Sequence, residues 1–167
     1  LIQDASRGKI DSFLVMGLVR QESGFDARAV SHARAKGLMQ IIPQTARRLA
    51  SGGHRMLLNE KENAKMGVKY LLQLAADFEN NVELVLAAYN AGPHRVFEWQ
   101  RRNPERKQNP QLWNDLIPYM ETRDYVVSIL RNNYLYLRLY GGREPASAGL
   151  FASDTVKSLI ARVPNKR

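Results

Sequence analysis

The sequence predicts an all-α fold, on three observations: apolar residues recur at helical spacing along most of the chain, capping residues mark starts and stops, and no run of strict alternation bounded by turn signals argues for a sheet. From Ile10 to Arg20 the apolar residues Ile10, Phe13, Leu14, Val15, Met16, Leu18 and Val19 cover nearly the whole circumference of a helix, which predicts a buried one. Asn59, with Glu62 three positions on, has the spacing of a capping box, and Ala64, Val68, Leu71, Ala75 and Phe78 continue at helical spacing behind it. Asn81 is placed to cap a helix from Val82 to Tyr89, Gly92 to stop it, and Pro93 to open another through Val96 and Phe97. After Pro118, the series Tyr125, Val126, Ile129, Leu130, Asn133, Leu137 and Tyr140 predicts a last amphipathic helix that Gly141-Gly142 would end. From there to Arg167 the pattern fades into Gly, Ala, Ser, Pro and charge around one short apolar patch, Leu159-Ile160, so a domain over 1–141 and a loosely attached tail over 142–167 are expected.

A chain of 167 residues supports one domain with a real core. Its 25 Lys+Arg against 16 Asp+Glu leave a net charge of +9, which suits a partner or substrate with extended negative charge: nucleic acid, anionic lipid or an acidic cell-wall polymer. The basic residues are scattered in pairs such as Arg47-Arg48 and Arg101-Arg102, without interleaved stacking aromatics, and this argues against nucleic acid. There is no cysteine, hence no disulfide or thiolate chemistry. No stretch approaches the roughly 20 apolar residues of a transmembrane segment, and the start has no signal-peptide pattern. Because the first residue is Leu, the chain is expected to be a mature or excised piece, with an upstream domain or anchor missing.

The segment RQESGFDARAVSHARAKGLMQIIP, Arg20 to Pro43, carries the chemistry. It places Glu22 at the end of the buried helix, where contact with apolar side chains penalises the ionised form and raises the pKa toward neutrality, as proton donation requires. Ser23-Gly24 then break the helical pattern and open a loop, which would set the acid at a cleft wall. On composition alone, a helix-end glutamate more often lies on a solvated face or pairs with a neighbour such as Arg20.

The ordered strings RQESGF, GLMQIIP, AAYNAGP and IPYMETRDYV resemble successive blocks of the soluble lytic transglycosylase family, and the resemblance runs from about Ile10 to Gly141. It includes the spacing of Gly37, fifteen positions after Glu22. It implies a lysozyme-like helical fold shared with goose-type lysozymes, a peptidoglycan glycan strand as substrate, a periplasmic or cell-envelope location, and neither metal nor organic cofactor; the sequence leaves the oligomeric state open, with a monomer the expectation. Carried over, the resemblance makes Glu22 the general acid and then base. Ser31 would hydrogen-bond the substrate near the reacting sugar, and Gly37 would let the backbone pass close to the strand. Gln40 would contact the glycan through its amide. Tyr89 would point its hydroxyl at the acid, Asn90 would bind sugar or fix the local backbone, and Glu121 would accept hydrogen bonds from the substrate or position it. Tyr125 would line the cleft or face the core. Read without the resemblance, Ser31 and Asn90 are ordinary turn and helix-stop residues, Tyr89 an ordinary buried tyrosine, and Glu121 a favourable charge at a helix start with Thr122 as its cap.

Two positions depart from the family pattern. Ile42 stands where the family's GLMQIMP string has Met, replacing a flexible thioether by a stiffer branched chain. Arg34-Ala35 replaces a Gly-Ala pair, which bears on the loop after Ser31 and adds a cation able to meet acidic wall groups. His32 reads as an exposed loop residue.

Most glycoside hydrolases need two carboxylates. Between Ser23 and Asn59 the only acid is Asp26, while Ala35 and Ala46 stand roughly where goose-type lysozymes carry aspartates. The resemblance therefore implies non-hydrolytic cleavage of the MurNAc-GlcNAc bond to a 1,6-anhydro end. A lysozyme-like hydrolase and a non-catalytic wall-binding module are the alternatives.

Overall fold

A computed structural model describes residues 1–6, 8–104 and 117–141. The expected tail at 142–167 lies outside the described residues. Among those residues are the helices α1 (Ile2–Ser6), α2 (Ser12–Ser23), α3 (Pro43–Leu49), α4 (Glu60–Asp77), α5 (Val82–Ala91), α6 (Pro93–Arg102) and α7 (Met120–Tyr140), plus a 3-10 turn at Gly53–Arg55. The described chain has no strand, only isolated bridges pairing Val30 with Lys36 and Lys36 with Ile41.

The helix ends follow local chemistry. Asp11 caps α2 by accepting the Phe13 N–H at 2.9 Å, Asn59 caps α4 through the Glu62 N–H at 3.1 Å, and Asn81 caps α5 through the Leu84 N–H at 3.1 Å. The box expected at α4 is only half made, because the Glu62 carboxylate turns to Lys65 at 2.7 Å instead of reaching back to Asn59. Thr122, expected as the cap of α7, lies one turn inside it; Tyr119 holds the cap position, and the Thr122 hydroxyl serves another partner. α6 begins with Pro93, as predicted, but runs on to Arg102. The short helices α1 and α3 have no counterpart in the sequence pattern, since neither is long enough to show a period of its own.

α5, buried from Val82 to Ala88, passes through the core, while α2 and α7 pack together along their lengths. Leu14, Val15, Leu18 and Val19 from α2 meet Val126, Ile129 and Leu130 of α7 in one apolar cluster, each such side chain contributing roughly 1.5–3 kcal/mol by its removal from water. Gly17 sets how close the pair comes. A Cβ there would lie 3.0 Å from the Ile129 carbonyl oxygen and 3.3 Å from the Asn133 nitrogen, so a larger residue would push the two backbones apart by a few tenths of an ångström. Glu22 lies on α2 at i+4 from Leu18 and Tyr125 on α7 at i−4 from Ile129, so both extend this apolar seam to its end. No helix among the described residues is long and apolar enough to cross a membrane.

Candidate active site

α2 ends where the sequence predicts: Ser23 is its last residue, and Gly24 adopts the left-handed conformation at φ 60°, which sends the chain sideways into the 25–42 loop. Glu22 occupies the last turn, half-buried, with its carboxyl at the wall of an open cleft. The cleft consists of two adjoining depressions. One, of about 490 Å³, is lined among others by Ser31, Gln40, Thr45, Tyr70 and Tyr89; the other, of about 500 Å³, by Gln21, Asp124, Tyr125 and Ser128. Glu22, Asn90 and Glu121 line both, so a chain-like ligand crossing from one side to the other passes the acid in the middle.

Burial raises the Glu22 pKa to about 7, against the lowering effect of a hydrogen bond from Tyr125, whose hydroxyl donates to Oε1 at 2.5 Å. Tyr125 thus takes the place expected for Tyr89. The Tyr89 hydroxyl donates to the Met39 carbonyl at 2.8 Å, which ties α5 to the loop, while its ring packs 5.3 Å from that of Tyr70. Both phenols stay protonated: burial pushes Tyr89 and Tyr125 well above the ordinary tyrosine value, the nearby Glu22 charge adds to it, and Glu22 as hydrogen-bond acceptor further holds the Tyr125 proton.

The loop wall is fixed from three helices at once. Ser23 of α2 donates to the Leu38 carbonyl at 2.9 Å, Tyr89 of α5 to that of Met39, and Asn63 of α4 to those of Lys36 and Leu57, each at 2.8 Å. Asn63 also accepts the Met39 N–H at 2.8 Å, and its amide is fully buried. Gly37 belongs to this clamp. It has φ 76°, and a Cβ there would collide with the Asn63 amide and the Leu57 carbonyl. Its need for glycine therefore arises on the core side, and it does not line the cleft, which corrects the expectation that it lets the backbone approach a strand.

Gln40 does line the cleft, but its Nε2 donates to the Ala29 and Gly37 carbonyls at 3.1 and 2.9 Å. The amide oxygen is the group left for a ligand. Ser31 Oγ accepts the Ala35 N–H at 3.0 Å, a turn that leaves its own proton to give. On the opposite side the Thr122 hydroxyl donates to Asn90 Oδ1 at 2.7 Å, fixing the exposed amide so that its N–H groups are the free ones. Ile42 lines the cleft, half-exposed, at the position of the first departure. Sequence reasoning missed Tyr70 and Thr45 in the lining and Ser23 and Asn63 behind it.

Arg34, the second departure, adopts φ 62°. The loop keeps the left-handed turn that a glycine would enter freely, and an arginine bears about 1 kcal/mol for it. Arg34→Gly is expected to gain roughly 0.5–1 kcal/mol of stability, read as a higher urea midpoint at unchanged slope.

Residues 1–112 match the family model described as the transglycosylase SLT domain. This chain belongs to that family. The SLT domain is 35% identical over 147 residues to the soluble lytic murein transglycosylase of Salmonella typhimurium, which takes in 83% of this chain and 23% of the relative. It is 34% identical over 144 residues to the Escherichia coli protein of the same name, 82% and 22% of the two chains. Among solved structures it resembles an inactive mutant of the lytic transglycosylase Slt from Pseudomonas aeruginosa, with TM-score 0.76, 30% identity, and coverage of 86% of this chain and 24% of the other. It likewise resembles the 70 kDa soluble lytic transglycosylase of Escherichia coli, with TM-score 0.75, 30% identity, and coverage of 84% and 24%. The fold is therefore the all-α, lysozyme-like fold of these enzymes. The SLT domain spans about a quarter of the length of each relative.

Proposed function

We propose that this SLT domain cleaves the glycan strands of peptidoglycan in the bacterial cell envelope by transglycosylation, with Glu22 as acid and then base. The observation that carries this reading is one half-buried carboxyl, poised near pH 7, midway along a two-sided cleft. A protonated Glu22 donates to the glycosidic oxygen as the bond from C1 breaks. The carboxylate left behind is stabilised by the Tyr125 hydroxyl. It then takes the proton of the muramic C6 hydroxyl, whose oxygen attacks C1 and closes the 1,6-anhydro ring. The acid is regenerated and no water is consumed. The attacking hydroxyl belongs to the same sugar, so its effective concentration is high.

The loop wall supplies no second carboxylate: the Asp26 side chain does not line the cleft and accepts the Arg28 N–H at 2.8 Å. Glu121 does line it, on the first turn of α7, and is assigned to substrate positioning together with Ser31, Gln40 and Asn90. Mass spectrometry of products from purified peptidoglycan tests the assignment. Anhydro-muropeptides are expected; ordinary reducing ends would make the domain a hydrolase with Glu121 as the candidate water-activating base.

The pKa gives a second test. Because the first step needs protonated Glu22, kcat should fall tenfold per pH unit above about 7. The Tyr125 bond lowers that pKa, so in Tyr125→Phe the falling limb should move to higher pH, while loss of the donor to the carboxylate lowers kcat by about 100-fold. A limb that moves to lower pH would contradict the assigned bond.

A further inference from the structure

The two halves of the cleft differ in charge. Both halves share Glu22 and Glu121, and the half lined by Tyr125 and Ser128 adds the carboxylate of Asp124. The half lined by Ser31, Thr45 and Tyr70 has no acid beyond the shared pair, and two exposed arginines adjoin its lining residues along the chain. Arg34 stands between Ala33 and Ala35, both in the lining, and keeps a left-handed backbone that favours glycine. Arg48 follows the lining residue Thr45 on α3 and places its guanidinium beside the Tyr70 hydroxyl. Neither arginine has a salt bridge among the described residues, and the one acid acting on Tyr70 from α4, Asp77, is not paired with either. A strained, exposed arginine without a structural partner at a cleft rim is a feature that folding alone does not require.

We propose that Arg34 and Arg48 form a carboxylate-binding rim for the stem peptides that branch from alternate sugars, so that peptide-bearing strands bind better than bare glycan. The proposal rests on the transglycosylase reading for its substrate. The guanidinium fork matches a carboxylate with two parallel hydrogen bonds, and both side chains are long enough to follow a flexible peptide above the sugar. Exposed pairs of this kind are individually weak and are screened by salt. Each arginine should therefore matter several-fold. The peptide lies away from the reacting carbon and is held equally in ground and transition states, so the effect belongs in KM and not in kcat.

The test compares intact, uncrosslinked strands with the same strands stripped of peptide by an amidase. For Arg34→Gln, Arg48→Gln and the double variant, KM on peptide-bearing strands should rise about 3-fold, 3-fold and 10-fold at 50 mM salt, with kcat and the values on stripped strands unchanged. The difference should vanish near 0.5 M salt. Arg47→Gln, one position round the same helix, is the matched control and should show no preference. Arg34→Gly removes the cation while relieving the backbone, so it should lose the preference as Arg34→Gln does even though the loop is more stable. Equal losses on both substrates, or none, would overturn the rim. Binding of the Glu22→Gln domain to the same two strands, by calorimetry, separates this idea from the reaction. An arginine-dependent preference with no anhydro product from the parent would sink the chemistry and leave the rim; anhydro product without the preference would do the reverse.

Discussion

Replacing Glu22 with Gln is expected to abolish strand cleavage and, at pH 8, to make the domain more stable. The amide occupies the same volume against the same apolar neighbours and still accepts the Tyr125 hydroxyl, but it has no proton to give and cannot take one back. Both proton transfers are lost together, so release of anhydro-muropeptides should drop by about 1000-fold or more. A binding module on the same fold would release nothing in either form, and a hydrolase would lose ordinary reducing ends.

The stability effect follows from the same burial. Below about pH 4.5 Glu22 is protonated in both folded and unfolded chains, so folding gains or loses nothing from it. As pH rises from 4.5 the unfolded chain ionises while the folded one holds its proton up to about 7; stability is lost across that interval and the loss is then constant. The separation of the two values corresponds to roughly 2–3 kcal/mol after allowance for the half-exposed position. Urea melts of the parent and Glu22→Gln should therefore coincide at pH 4 and separate by about that amount at pH 8. Curves that stay parallel at both pH values would mean that the carboxyl is solvated in the folded state, and the acid role would lose its physical basis.

What the sequence made legible is what short-range chemistry decides. Asp11, Asn59 and Asn81 act on N–H groups two or three residues away, and the apolar spacing of α2, α4 and α7 records which face each helix buries. The residues singled out from the motif strings and the loop between them, Glu22, Ser31, Gln40, Tyr89, Asn90 and Glu121, come together along one cleft. The exchange of roles between Tyr89 and Tyr125 was not legible, because it depends on how closely α2 and α7 approach at Gly17 and on where the loop places the Met39 carbonyl. Gly37 was assigned the wrong neighbour for a related reason. A positive φ states that glycine is needed but not on which side the space is taken. Asn63 did leave a signal: a helix-disfavouring amide on the buried face of α4, among Ala64, Met66 and Gly67, has to be satisfied by something distant.

Asn63 is also where a change behind the site should cost most. In Asn63→Ala the carbonyls of Lys36 and Leu57 and the N–H of Met39 lose their side-chain partner, and a cavity opens against Gly37. Unmet buried groups at 1–3 kcal/mol each, partly relieved by water entering the cavity, give an expected loss of about 3–4 kcal/mol, a large share of the total for a domain this size. Asn63→Asp should be no better at neutral pH. It still accepts from Met39 but has nothing to donate, and it sets an anion against two carbonyl oxygens. At about pH 4 the carboxyl introduced by Asn63→Asp takes up a proton and regains one donor, so this variant should recover relative to Asn63→Ala there. That ordering distinguishes a hydrogen-bond clamp from mere volume. In whatever fraction of Asn63→Ala remains folded, the 36–40 loop is freed beside an acid still seated on α2. KM should therefore rise about tenfold through misplaced Gln40 and Ser31, while the pH at which kcat falls stays that of Glu22. An alanine variant within about 1 kcal/mol of the parent, with unaltered KM, would show that the loop is held by Ser23 and Tyr89 alone.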